Sequence, residues 1–250
     1  MRAFRTALRK RKVNNAPWRW SVQGRTLAVS LPAPWLVLGW APLGGGFTRA
    51  DLILNHQIEA DDRAATEAPR AYLTGVVRAM RSDPRRAVAM MTGAQISRAG
   101  FATTRRGGLV VGAWCTAGCT NALRVGDRAT AGVPRAAEAD RRRSHAAKPG
   151  TINIIVALNE PLTRAAMAEA LQIAVEARVA AIHDAGLASV RSGAIATGTG
   201  TDCIAVAAPV AAAADRANSI VYCGKHTLPG ELIGRAVMRS CAAALARTAG

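Results

Sequence analysis

Residues 151–158 read TINIIVAL, and residues 164–184 read RAAMAEALQIAVEARVAAIHD. The first is a mainly apolar run with β-branched residues, which predicts a buried strand. The second carries Met167, Leu171, Ala174 and Ile182 at helical spacing. Thr163 stands where an N-cap belongs, and Gly186 where a helix stops. Glu169, Gln172, Glu176 and His183 fall on one polar stripe of that helix. A strand feeding a long helix, then two further apolar runs around Ile195 and at Cys203–Ala207, sets the pattern of the C-terminal half. Ile220–Tyr222 predicts a short strand, and a last helix spans about 230–246 with Thr227 as its N-cap and Pro229 in its first turn.

Upstream, Leu27–Ser30, Trp35–Trp40, Ala50–Ile58, Ala87–Met91 and Leu109–Trp114 are strand-like, and Ala68–Met80 has helical spacing. Strands and helices mix without a strict strand–helix–strand alternation. The expected class is α+β: a mixed β-sheet core with packed helices in a single domain. No internal repeat is evident. Residues 1–25 are basic, carry no acidic group and read as a flexible extension. The domain then spans 26–250, with a polar, Arg- and Ala-rich surface loop at 127–149.

The chain has 250 residues, half of them apolar, and a formal charge of +17. Such a charge is compatible with nucleic acid. Here much of it gathers in the N-terminal segment and the polar loop, with no zinc-finger spacing and no aromatic-plus-basic pattern, so no specific nucleic-acid binding is expected. Thr26–Phe47 has no charged residue, but Pro32, Pro34, Pro42 and Gly44–Gly46 break it, so no membrane span is expected. The scattered cysteines, Cys115, Cys119, Cys203, Cys223 and Cys241, read as reduced thiols of a cytoplasmic protein.

The chemistry-bearing stretch is Thr197-Gly198-Thr199-Gly200-Thr201-Asp202. Its glycines let backbone approach a ligand closely, and Asp202 is a general-base candidate beside hydroxyls. Thr199 or Thr201 becomes a nucleophile only with a base in reach. His226 sits in Gly224-Lys225-His226-Thr227 at a strand-to-helix junction, suited to acid–base work near neutral pH or to a simple loop role. Asp202, His226 and Glu231 lack metal-site spacing, so no metal is expected. Two further strands run into hydroxyl-bearing turns, Thr92-Gly93-Ala94 and Thr116-Ala117-Gly118.

These segments in this order resemble the adenosylcobinamide amidohydrolase family, CbiZ. Gly150–Ile155 resembles its GTINII strand, Glu176-Ala177-Arg178 its TEAK segment and Thr197–Asp202 its TGTGTD loop. Gly224–Thr227 with Gly230-Glu231-Leu232-Ile233-Gly234 resembles its GKHT…GELIG segment. Gly44-Gly45-Gly46 with Asn55, Met91–Ala94, and Thr116–Gly118 with Asn121-Ala122 match more loosely. The resemblance covers about 27–246. Val175 and Arg178 depart from the family's threonine and lysine.

The resemblance implies hydrolysis of the amide that joins aminopropanol to the corrin ring of adenosylcobinamide, giving adenosylcobyric acid in corrinoid salvage for cobalamin synthesis. Cobalt then belongs to the substrate, and no separate cofactor is implied. It also implies a catalytic set of Asp202, His226 and Glu176. Substrate contacts would come from Asn153, Thr197, Gly198, Thr199, Gly200, Thr201, Lys225, Thr227, Glu231, Gly45, Gly46 and Asn55. The alternatives are an amide hydrolase with another substrate and a non-catalytic corrinoid carrier. The oligomeric state is left open.

Overall fold

A computed structural model of the chain describes residues 11–12, 16–59, 61–129, 132 and 150–248. Its strands are β1 (Arg11–Lys12), β2 (Arg19–Gln23), β3 (Thr26–Gly39), β4 (Gly46–Gln57), β5 (Ala87–Thr92), β6 (Gly100–Arg106), β7 (Leu109–Ala117), β8 (Ala122–Leu123), β9 (Ile152–Leu158), β10 (Gly198–Thr199) and β11 (Cys203–Ala208). The α-helices are α1 (Arg63–Glu67), α2 (Pro69–Ala79), α3 (Arg164–Asp184) and α4 (Leu228–Thr248).

Nine strands form one hydrogen-bonded sheet, and β8 with β10 form a small second one. β9 and β11 pair in parallel, as do β4 and β5, while the other pairs of the main sheet are antiparallel. The sheet is therefore mixed, as expected. The two apolar runs 27–30 and 35–40 join into the single strand β3, whose register against β4 shifts between Ser30 and Trp35. Pro32 and Pro34 lie inside that shift. Neither has an N–H to give the ladder, and the irregularity bends the strand there.

The bend lets the sheet pack on itself. Side chains alternate along a strand, and the apolar clusters follow that alternation. Ile154, Val156, Ile204 and Val206 face a cluster shared with Met167, Ile173 and Ala174 of α3 and Ile233 and Val237 of α4. Ile155, Ala157, Cys203, Ala205 and Trp114 face the opposite way, onto Val29, Ile53, Val88 and Met90. On the far side of β4 and β5, Leu52, Leu54, Ala87 and Ala89 meet Leu73 and Val77 of α2. The result is four layers: helices, sheet, sheet, helix. β7, β9 and β11 are buried along their whole length, which is why each reads as a mostly apolar run, broken only by Thr116 in β7 and Asn153 in β9.

The expected flexible extension over 1–25 is corrected from Ala16 onward. β2 pairs with the first half of β3. Trp18 is fully buried and meets Trp35 and Trp114 edge-on at centroid distances of 6.2 and 6.1 Å. Trp18 and Trp20 sit two apart, so both point into the inter-sheet core, and that burial outweighs the surrounding arginines. Residues 1–10 and 13–15 lie outside the described residues. Most of the polar 127–149 loop does too. The expected strand at Ile220–Tyr222 is reduced to one bridge between Ile220 and Leu162, with Val221 and Tyr222 exposed.

Candidate active site

The inter-sheet apolar layer ends in polar side chains at one end, and the two-residue period of each strand produces them. Beyond Ile53 of β4 comes Asn55, and beyond Met90 of β5 comes Thr92. Beyond Trp114 of β7 comes Thr116. Before Ile155 of β9 come Asn153 and Thr151, and before Cys203 of β11 comes Thr201. Asn55, Thr92, Thr116, Thr151 and Asn153 are all buried. Asn55 Nδ2 donates to Thr116 Oγ1 at 2.8 Å. Asn153 Nδ2 donates to Asn55 Oδ1 at 2.9 Å and to the Met91 carbonyl at 2.8 Å. Thr92 Oγ1 accepts the Ala94 N–H at 3.0 Å. Thr151 and Thr201 share a hydroxyl–hydroxyl bond of 2.7 Å. Thr201 is exposed, so the polar cluster opens to solvent there.

Asp202 points to the other face, toward the helices. Its Oδ1 accepts the Ile152 N–H at 2.9 Å and the Thr199 hydroxyl. Its Oδ2 accepts the Thr199 N–H at 2.8 Å and pairs with Arg178 of α3 at 3.0 Å. A Cβ on Gly198 would fall onto Asp202 Oδ2, with the Arg178 guanidinium just beyond. The loop thus needs glycine at 198 because the ion pair occupies that space. Thr197 Oγ1 accepts the Val125 N–H at 2.8 Å, and Gly200 turns the loop beside Leu123.

Glu176 and Lys225 form a separate, more exposed pair at 2.6 Å, with Gln172 donating to Glu176 at 3.0 Å. The hydrogen bond from Lys225 holds the Glu176 carboxyl below its usual range, with Gln172 adding to it. Glu176 and Arg178 lie two apart on α3 and face different ways. His226 is exposed and, among the described residues, makes no hydrogen bond or ion pair. Thr227 is the expected N-cap of α4, accepting the Gly230 N–H at 3.2 Å. Glu231 pairs with Arg235 at 3.1 Å and with Arg106. Gly45 and Gly46 shape the turn before β4, Gly46 with φ of 83°.

The expected site residues therefore divide. Asn55, Asn153 and Thr201 converge between the sheets. Asp202 forms the anchor of their loop. Glu176, Lys225, His226, Thr227 and Glu231 gather on the helix side, and no hydrogen bond joins them to Asp202. Thr151 and Thr116 belong to the inter-sheet cluster and were not singled out as site residues, although strand alternation places them on the face of Asn153. Trp40 is a further neighbour: its Nε1 donates to the Asp202 carbonyl at 2.6 Å, and the side of its ring is exposed. A cavity of about 620 Å³ between the C-terminal halves of α3 and α4, lined by Leu187, Met238, Leu245 and Cys119, contains none of the expected site residues. Among the described residues no cluster of metal-ligating side chains occurs, and no helix is long and apolar enough to cross a membrane.

The chain matches the family described as CbiZ, adenosylcobinamide amidohydrolase, over residues 13–250. It belongs to that family. A relative, an uncharacterised protein of Methanocaldococcus jannaschii, is 30% identical over 206 residues, covering 80% of this chain and 78% of that protein. Among solved structures, the chain is similar to a Burkholderia β-aminopeptidase (14% identity, TM-score 0.45, 91% of this chain and 79% of that one). It is also similar to a protein of Pyrococcus horikoshii (13% identity, TM-score 0.41, 92% and 78%). A third is the L-aminopeptidase D-Ala-esterase/amidase of Ochrobactrum anthropi (11% identity, TM-score 0.39, 92% and 77%). The CbiZ family match extends upstream of the resemblance read from the sequence, to include β2 and the buried Trp18.

Proposed function

We propose that this CbiZ-family chain hydrolyses the amide between aminopropanol and the corrin propionate arm of adenosylcobinamide, releasing adenosylcobyric acid. Family membership over nearly the whole chain supports the reaction. The observation that carries the site is the convergence of Thr151, Thr201, Asn153, Asn55 and Thr116 at one solvent-facing end of the inter-sheet layer. Amide hydrolysis needs an activated oxygen nucleophile, donors for the oxyanion and a proton for the leaving amine. Hydroxyls and carboxamides from separate strands supply such groups on rigid elements.

Asp202 serves this site from behind. Both its oxygens are engaged and it is paired with Arg178, so its role is to hold the threonine–glycine loop rather than to take a proton from substrate. The corrin is large and rimmed with amides; its binding calls for a broad surface with some apolar contact, which the exposed Trp40 ring beside the loop offers. Lys225, His226 and Glu176 on the helix side then contribute at most to corrin side-chain contacts.

The test is incubation of the purified protein with adenosylcobinamide, with adenosylcobyric acid followed by chromatography and mass. Product formation supports the reading. Binding without product moves the chain to a corrinoid carrier. Neither binding nor product sends the search to other amides.

A further inference from the structure

The geometry points to Thr151 as the nucleophile that attacks the substrate amide, with Thr201 as the hydroxyl that receives and passes on its proton; this rests on the amidohydrolase reading above. The argument is by the occupancy of hydroxyls. Thr92 and Thr116 accept from Ala94 and Asn55 and are 1% exposed, whereas Thr151, at 7%, adjoins the exposed Thr201. Thr199 donates to Asp202, Thr197 accepts from Val125, and Thr227 donates to the Gly224 carbonyl while capping α4. Each of these has a structural task.

The Thr151–Thr201 pair is different. Thr201 donates its one proton to the Gly150 carbonyl at 3.3 Å. The 2.7 Å bond between the hydroxyls is then donated by Thr151, and among the described residues none donates to Thr151 Oγ1, which leaves its lone pairs available to a carbonyl carbon. The site holds this hydroxyl in place from three sides. Thr151 precedes the buried strand β9, its carbonyl accepts the Gly118 N–H at 3.1 Å, and the Ile152 N–H is tied to Asp202. Asp202 therefore positions both partners, one through Ile152 and the other through the loop that ends in Thr201.

In one concerted step, Thr151 Oγ1 bonds to the amide carbon while its proton moves to Thr201 Oγ1, which releases its own proton as it accepts, so that Thr201 is a shuttle and no charged hydroxyl forms. The Thr201 proton moves to the amide nitrogen, the C–N bond breaks and aminopropanol leaves as the free amine. Water then attacks the Thr151 ester. One water proton returns to Thr151 through Thr201, and the corrinoid leaves as the acid. The sum is amide plus water giving acid plus amine.

Two readouts test this on the full chain. Turnover of adenosylcobinamide is compared for wild type, Thr151→Val and Thr151→Ser, with unfolding midpoints to check folding. Separately, a β-lactone, which acylates a reactive hydroxyl when its ring opens, is applied without corrinoid and its site mapped by peptide mass. The expected result is a kcat loss of about a thousandfold or more in Thr151→Val. KM should stay within about threefold, Thr151→Ser should retain activity within about tenfold, and label should fall on Thr151. Label on Thr151 in a wild type that does not cut adenosylcobinamide leaves the nucleophile standing and removes the corrinoid reading. Turnover by a folded Thr151→Val within about tenfold of wild type, or no label on Thr151, overturns the inference.

Discussion

The Arg178 guanidinium meets the Asp202 carboxylate at 3.0 Å with only 11% and 7% of the two side chains exposed. A pair this buried acts as a clamp between α3 and the threonine–glycine loop. Removing one partner leaves the other charge uncompensated, which costs about 3–5 kcal/mol in buried pairs. Arg178→Met should therefore lower stability by that order. Arg178→Lys keeps the charge with a single ammonium in place of the planar fork and should cost less than half as much. Urea unfolding of both variants checks the ordering; equal losses would mean that charge is not what matters at this position.

Much of this arrangement was legible beforehand, and the limits have physical causes. Thr151–Leu158, the Thr163 cap and the Thr227 cap are local signals, and each falls where spacing placed it. The inter-sheet site is not local. Asn55 and Asn153 are 98 positions apart and meet only because the sheet folds over, and nothing in their neighbourhoods announces that meeting. Asp202 looked like a base because a carboxylate among hydroxyls has that appearance in one dimension. Its neighbours in space, Arg178 and the Ile152 N–H, are what make it an anchor. Strand β6 is hard to read because Gly100–Arg106 alternates weakly, and β2 because basic residues around it mask Trp18 and Trp20.

Gly198→Ala should disturb the same clamp from the loop side. The added methyl lands on Asp202 Oδ2 beside Arg178, and neither partner can retreat without breaking a bond. Overpacking of this kind costs about 1–3 kcal/mol. The expected signature is a lower unfolding midpoint together with reduced turnover, because Thr201 moves with the loop. Gly200→Ala, where the nearest atom is the flexible Leu123 side chain at 3.5 Å, is the control and should be milder in both measurements.

The buried carboxamide chain carries its own prediction. Asn153→Ala removes the donor to Asn55 Oδ1 and to the Met91 carbonyl. Leaving a buried acceptor unpaired costs about 1–3 kcal/mol. The Asn55→Ala, Asn153→Ala double variant removes both carboxamides and should be less destabilised than the sum of the singles, the mark of coupled neighbours. Additive losses in a denaturant series would show that the two do not act as a unit.

His56 gives the fold a pH dependence with a definite sign. Its Nδ1 bonds Thr26 Oγ1 at 2.8 Å and its Nε2 meets Tyr72 at 3.4 Å. Burial lowers its pKa below 6.5, Arg25 adds to that, and Asp62 opposes it. The unfolded chain then binds the proton more readily, so stability is full above the unfolded value and falls as pH drops through it toward the folded one. Unfolding free energy measured from pH 8 to pH 5 should decline more steeply for wild type than for His56→Gln. Identical slopes would assign the acid sensitivity elsewhere.

Trp40 is where the substrate's bulk should be felt. Its Nε1 is satisfied by the Asp202 carbonyl, so the ring is fixed beside the loop while its exposed part, 46% of the residue, stays in water. An aromatic surface with its polar atom already bonded loses little on meeting an apolar ring system. Trp40→Ala should raise KM for adenosylcobinamide about tenfold, which corresponds to about 1.4 kcal/mol of binding, with a smaller effect on kcat. Trp40→Phe keeps an aromatic face but loses the hydrogen bond, and should fall between the two in KM. If Trp40→Ala lowers kcat with KM unchanged, the indole acts by holding the Asp202 backbone rather than by touching the corrin, and it joins Arg178 as a support of the loop.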